Sequence, residues 1–388
     1  MKSLVPLSSR RIWVFGIGLF LFFQRAALFG QLSTADHLAE PGFWPTRAGE
    51  LRAEYVGSER CASCHSLEVT PQKKTAMAQT ASHVENAAIL QAHSKMNFDV
   101  GRYHYEIKTA DHQSLYSVTD GTRTLTAPLL WAFGNGRVGQ SYLFKKADGK
   151  FYEARVTYFD TLSTLHFTPA RALEAPKNLE EAMYRPVDAE EIKRCFGCHT
   201  TASTMGEKFD EQKLMLGVSC EACHGAGGKH VAATEAAMAG ELVPDGEAMF
   251  NPARLIPVDS VDFCGACHGT WWDVKLSGAK GVTTAKSQPY RLVDSKCWGK
   301  GDARLTCIAC HNPHAPLETD SVAYDKVCFS CHVGAGENKT ASRAGAACPV
   351  GTRDCVSCHM QKVFVPEMHF KFTDHRIRVV RGNEAYPE

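Results

Sequence analysis

Cys220-Glu221-Ala222-Cys223-His224-Gly225-Ala226-Gly227-Gly228-Lys229-His230 is the most informative run of this chain. Its nucleus is C-x-x-C-H, two cysteines three positions apart with a histidine directly behind. A single C-x-x-C could be a redox dithiol or half of a zinc site. Here the five-residue pattern occurs seven times, as Cys61-Cys64-His65, Cys195-Cys198-His199, Cys220-Cys223-His224, Cys264-Cys267-His268, Cys307-Cys310-His311, Cys328-Cys331-His332 and Cys355-Cys358-His359. Zinc would need four ligands per site and no histidine fixed behind every pair. Two thiols at this spacing can add across the two vinyl groups of a haem, and the adjacent imidazole then becomes the proximal ligand of its iron. The sequence therefore implies seven covalent c-type haems, which absorb fourteen of the sixteen cysteines.

Numbering the motifs 1 to 7 in chain order, their first cysteines are 134, 25, 44, 43, 21 and 27 residues apart. Six haems thus crowd into residues 195–359, and one precedes a long haem-free stretch. A segment with a haem every few tens of residues cannot build an ordinary apolar core. Short helices and loops must wrap the porphyrins, so that attachment and folding become inseparable. The intervening stretch carries β-rich runs at Tyr103–Lys108, Leu115–Thr119, Thr122–Thr126, Gln140–Lys145 and Phe151–Phe159, separated by Asp120-Gly121, Asn135-Gly136 and Asp148-Gly149. These predict an antiparallel sheet of four to six strands. Pro128–Phe133 reads as sheet core, with a haem-facing loop as the alternative. Helices are expected over 68–92, 178–194 (where Asp188 and Glu191 suggest a capping box), 206–216 and 229–239. The expected organisation is an N-terminal segment with the first haem at 31–100, a β-rich insertion at 101–170 and a hexahaem domain at 171–388.

Residues 1–30 read as a signal peptide: Lys2, Arg10 and Arg11 form a basic head before the apolar run Ile12–Phe23. That run is too short for a bilayer span, which takes about 20 residues. Export to the periplasm or the exterior is expected, with an uncleaved N-terminal membrane anchor as the alternative. Covalent haem attachment outside the cytoplasm favours the general secretory route over a twin-arginine reading of Arg10-Arg11. The 388 residues carry 43 Lys and Arg against 42 acids, a formal charge of +1, which argues against a nucleic-acid partner. Removal of 1–30 deletes four bases and no acid, and fourteen propionates with seven ferric centres bring the holoprotein to about −10. Redox partner proteins with a basic surface, some of them membrane-bound, would suit it. Cys297 and Cys348 remain, as one disulfide or as two buried thiols.

Ten histidines lie outside the motifs, at 37, 83, 93, 104, 112, 166, 230, 314, 369 and 375. Two imidazoles on one iron make a low-spin electron carrier, whereas an open position permits substrate chemistry. His230 lies six residues after proximal His224, and His314 three after His311. Six residues span at most about 20 Å and three about 10 Å, too little to round their own porphyrin. Each is expected to ligate a neighbouring haem. His375, His369 and His93 are the further distal candidates. His104, His112 and His166 fall in the β-rich stretch as ordinary histidines, and His37 in the N-terminal lead.

On these residues the chain resembles the multihaem cytochrome c superfamily, in particular its cytochrome c-554-like group; that superfamily also holds hydroxylamine oxidoreductase and pentahaem nitrite reductase. Cys220–His230 is similar to its C-x-x-C-H-G-x-G-x-x-H segment, Cys307–His314 to C-x-x-C-H-x-P-H, and Cys355–Met360 with Phe372–Ile377 to a C-terminal module. The resemblance covers 55–95 and 195–380 and implies a mainly α fold with a haem-filled core, into which the β-rich segment is inserted. It implies a distal role for His230 and His314. No C-x-x-C-K occurs, so a lysine-ligated catalytic haem has no counterpart here. The leading expectation is an electron carrier. The alternatives are a reductase of a small nitrogen or sulfur species at one five-coordinate haem, and a subunit of an extracellular cytochrome filament.

Overall fold

The computed structural model describes residues 52–169, 176–205, 208–242, 249–298, 305–332, 348, 350–382 and 384–387. The signal-peptide reading of 1–30 and His37 lie outside these residues. Among the described residues no helix is long and apolar enough to cross a membrane.

The region between motifs 1 and 2 is built on antiparallel strands. Strands β1 (Ala81–His83), β2 (Lys95–Val100), β3 (Tyr103–Ala110), β4 (Gln113–Thr119), β5 (Thr124–Pro128), β6 (Trp131–Phe133), β7 (Gly139–Lys145), β8 (Phe151–Ala154), β9 (Val156–Phe159), β10 (Thr164–Phe167) and β11 (Tyr184–Pro186) follow in order. One sheet runs β2-β3-β4-β5 and a second β1-β6-β7-β8-β11, with β9 pairing β7 and β10. Along β4 burial alternates, with Ser114, Tyr116 and Val118 inward, as a period of two requires for a half-buried strand. Tyr105, Ile107, Tyr116, Val118, Tyr142, Phe144 and Leu165 are fully buried together and form the main apolar core. Asp120-Gly121 and Asp148-Gly149 make turns as expected; Gly149 has φ 74°, a region closed to most side chains.

Several sequence expectations need correction. The strands begin at Ala81 and Lys95, earlier than the 101 boundary, because Met96, Phe98 and Val100 alternate and pair with β3. The single run Phe151–Phe159 divides at Arg155 into β8, paired with β7 and β11, and β9, paired with β10 and β7. No helix spans 68–92: two short ones, Ser66–Gln72 and Ala88–Ala92, flank β1. The 178–194 helix is two, Leu179–Met183 and Ala189–His199, parted by β11, where Pro186 interrupts. In 208–216 short strands replace the expected helix, whereas Gly228–Met238 is helical. The mainly α expectation is met only in part, since the described chain combines antiparallel sheets with helices of 4 to 12 residues.

A second apolar cluster joins the sheet to motif 2. Trp131, Phe133, Leu143, Val187, Ile192 and Phe196 are buried together. Phe196 lies inside motif 2, with ring centroids 5.0 Å from Phe133 and 4.7 Å from Phe209. Pro128–Phe133 is therefore sheet core, as expected, and Phe133 also packs edge-on at 5.2 Å against His199.

A candidate multihaem centre

Every C-x-x-C-H motif lies on or at the end of a short helical turn. Motif 2 closes the helix Ala189–His199, whose start carries the expected capping box of Asp188 and Glu191. Motif 4 closes Pro257–His268, and motifs 3 and 7 are the five-residue helices Cys220–His224 and Cys355–His359. In motifs 1, 5 and 6 the histidine N–H donates to the carbonyl of the first cysteine, at 2.8, 2.9 and 2.9 Å. One helical turn thus sets the two thiols and the imidazole near a common face, since residues three and four apart are neighbours on a helix.

Six histidines form three facing pairs. His65 and His230 have ring centroids 6.5 Å apart with 29° between planes, His224 and His314 5.9 Å and 21°, and His311 and His375 6.1 Å and 39°. Rings in direct contact would stack at roughly 3.5–4 Å. Two imidazole nitrogens each about 2.0 Å from one metal put the ring centroids about 6.3 Å apart, and the observed pairs match that spacing. The donor sets therefore fit an iron between the rings. In each pair one partner belongs to a motif and the other does not: His230 faces motif 1, His314 motif 3 and His375 motif 5.

The rings are also held in the right tautomer. His224 Nδ1 donates to Phe250 O at 2.8 Å, His359 Nδ1 to Arg378 O at 2.9 Å and His375 Nδ1 to Thr373 O at 2.9 Å. His199 Nδ1 meets Thr80 Oγ1 at 2.7 Å and Thr80 O at 3.1 Å. A backbone carbonyl on Nδ1 leaves the Nε2 lone pair for a metal. Burial pushes His199, His268, His311 and His314 toward the neutral form, and carries His375 down to about 4. Neutral imidazole is the ligating form.

Thiol contacts bring the motifs together in space. Cys61 hydrogen-bonds Cys220 (motifs 1 and 3), Cys264 bonds Cys307 (motifs 4 and 5), and Cys328 bonds Cys355 (motifs 6 and 7). Cys198 Sγ lies 3.6 Å from Ala266 O, linking motif 2 to motif 4. Cys297 and Cys348 are not joined as a disulfide. Burial raises the Cys297 thiol pKa, and the neighbouring charges are those of Cys331 and Cys328 in motif 6.

Residues 156–225, which contain motifs 2 and 3, match the family described as cytochrome c554 and c-prime. That stretch of the chain is therefore similar to the cytochrome c554 family. Among solved structures, the crystal structure of the outer cell wall cytochrome OcwA is similar to this chain at 16% identity, with 84% of this chain and 80% of that one covered and a TM-score of 0.37. No curated protein matches.

The remaining distal candidates are placed elsewhere. His93 donates through Nδ1 to Ile89 O at 2.8 Å, and its ring lies 5.4 Å from Tyr158. His369 adopts φ 46° between the strands of the C-terminal hairpin, and its ring packs 4.4 Å from His166 and 4.8 Å from Phe159. Both therefore face the β-rich unit. Among the described residues no histidine ring stacks on His199, His268, His332 or His359.

Sequence reading passed over two fully buried carboxylates. Asp374 beside His375 is fully buried and bonds Arg291 Nε at 2.9 Å, Arg291 Nη2 at 3.1 Å and Arg378 Nη1 at 2.7 Å. Glu221, inside motif 3, is the other. Its position between two cysteines, where a charge would face a porphyrin edge or protein, was the available signal.

Proposed function

We propose that this protein is a heptahaem electron conduit working outside the cytoplasm, its haems packed as the core of the C-terminal part and at least three of them held by two imidazoles. The observation that carries the reading is the set of three imidazole pairs at 5.9–6.5 Å. The ligand assignments are proximal His65, His199, His224, His268, His311, His332 and His359, with His230, His314 and His375 as second ligands of haems 1, 3 and 5. Those second ligands also order the motifs. His230 comes from the segment after motif 3, His314 from that after motif 5 and His375 from that after motif 7. This supports a run of neighbours 1–3–5–7, and the thiol contacts add 2 to 4, 4 to 5, and 6 to 7.

The bound haems supply one-electron chemistry at iron. The chain's own share is to keep neighbouring segments in contact, hold the imidazoles neutral and oriented, and surround them with protein. Proximity of neighbouring redox centres is all that conduction requires, and no acid, base or nucleophile takes part. The segment 1–30 supports export, either cleaved or kept as an anchor, and an acidic holoprotein suits a basic redox partner.

Reduction of a small nitrogen or sulfur species is the second reading. It would use one of the four motif histidines that no second imidazole faces among the described residues. Spin-state spectroscopy on the holoprotein separates the two. A conduit shows low-spin bis-imidazole signals and no binding of nitrite or cyanide. A high-spin signal that these anions abolish would replace the conduit with a reductase, and absence of any bis-imidazole signal would refute the pairings.

A further inference from the structure

Glu221 lies between the two cysteines of motif 3, and its side chain is fully buried. One carboxylate oxygen accepts from Val56 N at 2.9 Å and from Gly227 N at 2.8 Å, while the other accepts from Gly57 N at 2.8 Å. Val56 and Gly57 lead directly into the helix Ser58–Ala62, which carries Cys61. Gly227 is the N-cap of Gly228–Met238, the helix that carries His230. One carboxylate therefore ties three things together: the entry to motif 1, motif 3 itself, and the imidazole that faces His65.

The surroundings are built for that join. A Cβ on Gly228 would lie 2.8 Å from Glu54 Oε2 and 2.9 Å from Glu54 O, so only glycine lets the His230 helix approach the chain ahead of motif 1 so closely. Cys61 and Cys220 touch at the same place. Three N–H groups that would otherwise be poorly satisfied all converge on this one side chain, and losing a shared acceptor costs more than the average hydrogen bond contributes.

We propose that Glu221 is a positioning residue that sets the His65–His230 spacing, a role resting on the reading that these two rings share one iron. The same device recurs among the described residues. Asp325 opens the helix Asp325–Phe329, which carries Cys328, and accepts from Asp354 N at 2.7 Å and Cys355 N at 2.9 Å at the head of motif 7. A buried acid on one motif accepting the backbone N–H groups at the head of another is thus a joint between haem segments. The two acids serve different joints, 1–3 and 6–7. Two imidazoles can share an iron only if their separation holds to a few tenths of an ångström. Without its acceptor the end of Gly228–Met238 is free to draw back, and His230 is the ligand carried away.

The test uses the reduced holoprotein and counts carbon monoxide bound per chain, alongside the high-spin signal of the oxidised form. His230→Ala is expected to add one carbon monoxide site and one high-spin haem per chain. Glu221→Ala is expected to give the same spectral signature at up to the same amplitude. Glu221→Gln, which keeps one acceptor oxygen but sets an amide N–H against a backbone N–H, is expected to fall between wild type and alanine. Asp325→Asn is expected to leave the count unchanged, because it serves the other joint. If His230→Ala adds no site, the ligand reading itself fails. If it adds one while the folded Glu221 variants match wild type, the positioning role is overturned, and the glutamine variant decides this should the alanine variant not accumulate. The role is equally overturned if Asp325→Asn produces the same new site, since the effect would then be general loosening.

Discussion

Asp374→Asn removes one negative charge from the centre of the C-terminal module. Both Asp374 and its partner Arg291 have side chains with 0% exposure, so neither can fall back on water. Asp374 accepts from Arg291 Nε at 2.9 Å and Nη2 at 3.1 Å, from Arg378 Nη1 at 2.7 Å and from Arg376 N at 3.0 Å. Asparagine keeps the shape but presents an amide N–H to a guanidinium and leaves that cation uncompensated. Breaking a buried pair from one side typically costs about 3–5 kcal/mol, and with three guanidinium bonds affected the upper part of that range applies. Arg291 also stacks on Tyr386 at 4.6 Å and donates to Pro387 O at 3.1 Å, so the C-terminal residues should loosen together with His375. The assay is guanidinium denaturation followed by circular dichroism and by the low-spin haem absorption. The double variant Asp374→Asn/Arg291→Met removes the orphaned charge and should recover about 2 kcal/mol or more, because replacing both members of a buried pair is far cheaper than stranding one. A single variant within about 1 kcal/mol of wild type, or a double variant no better than the single, would refute the argument that this triad holds the module through charge compensation.

Four further outcomes can be checked directly. His314→Ala should convert one haem, that of motif 3, to a high-spin form that binds carbon monoxide, and an unchanged spectrum would remove His314 from the ligand set. Phe196→Ala, which empties a fully buried site against Phe133 and Phe209, should cost about 3–5 kcal/mol in thermal or denaturant unfolding; a loss near zero would mean that the sheet and motif 2 do not share a core. The Cys355 N–H bond, helped by that of Asp354 and opposed by burial, holds Asp325 below the ordinary carboxylate range. Its stabilising contribution is therefore present above the unfolded pKa of about 3.9 and lost as pH falls through the lower folded value. The stability gap between wild type and Asp325→Asn should accordingly close in acid, and a gap that stays constant from about pH 7 to pH 3 would contradict this. Finally, the rate of reduction by a basic partner should fall steeply with ionic strength, whereas a salt-independent rate would argue against electrostatic docking.

Much of this protein could be read from local spacing. C-x-x-C-H is complete within five residues, so each motif is legible without a fold, as is the apolar run at 12–23. Chain reach alone carries the expectation that His230 and His314 serve a haem other than their own. The capping box at Asp188 and the turns at Asp120-Gly121 and Asp148-Gly149 are local as well, and they appear where expected. Strand boundaries were less legible. Whether Phe151–Phe159 is one strand or two depends on which neighbours lie on each side, and β7 decides that by pairing with both halves.

Which rings face each other is the part that sequence could not supply. His230 is opposite His65, 165 residues away, while His369 turns to His166 in the sheet although it lies only six residues from His375. Glu221 and Asp374 have partners 165 and 83 residues distant, so no local pattern gives those partners. The sequence by itself determined the proposed chemistry, because the attachment motif needs only a thiol pair and an imidazole on one turn of chain. The tertiary structure decided the neighbours, because pairing two imidazoles on one iron depends on packing distant segments to within fractions of an ångström.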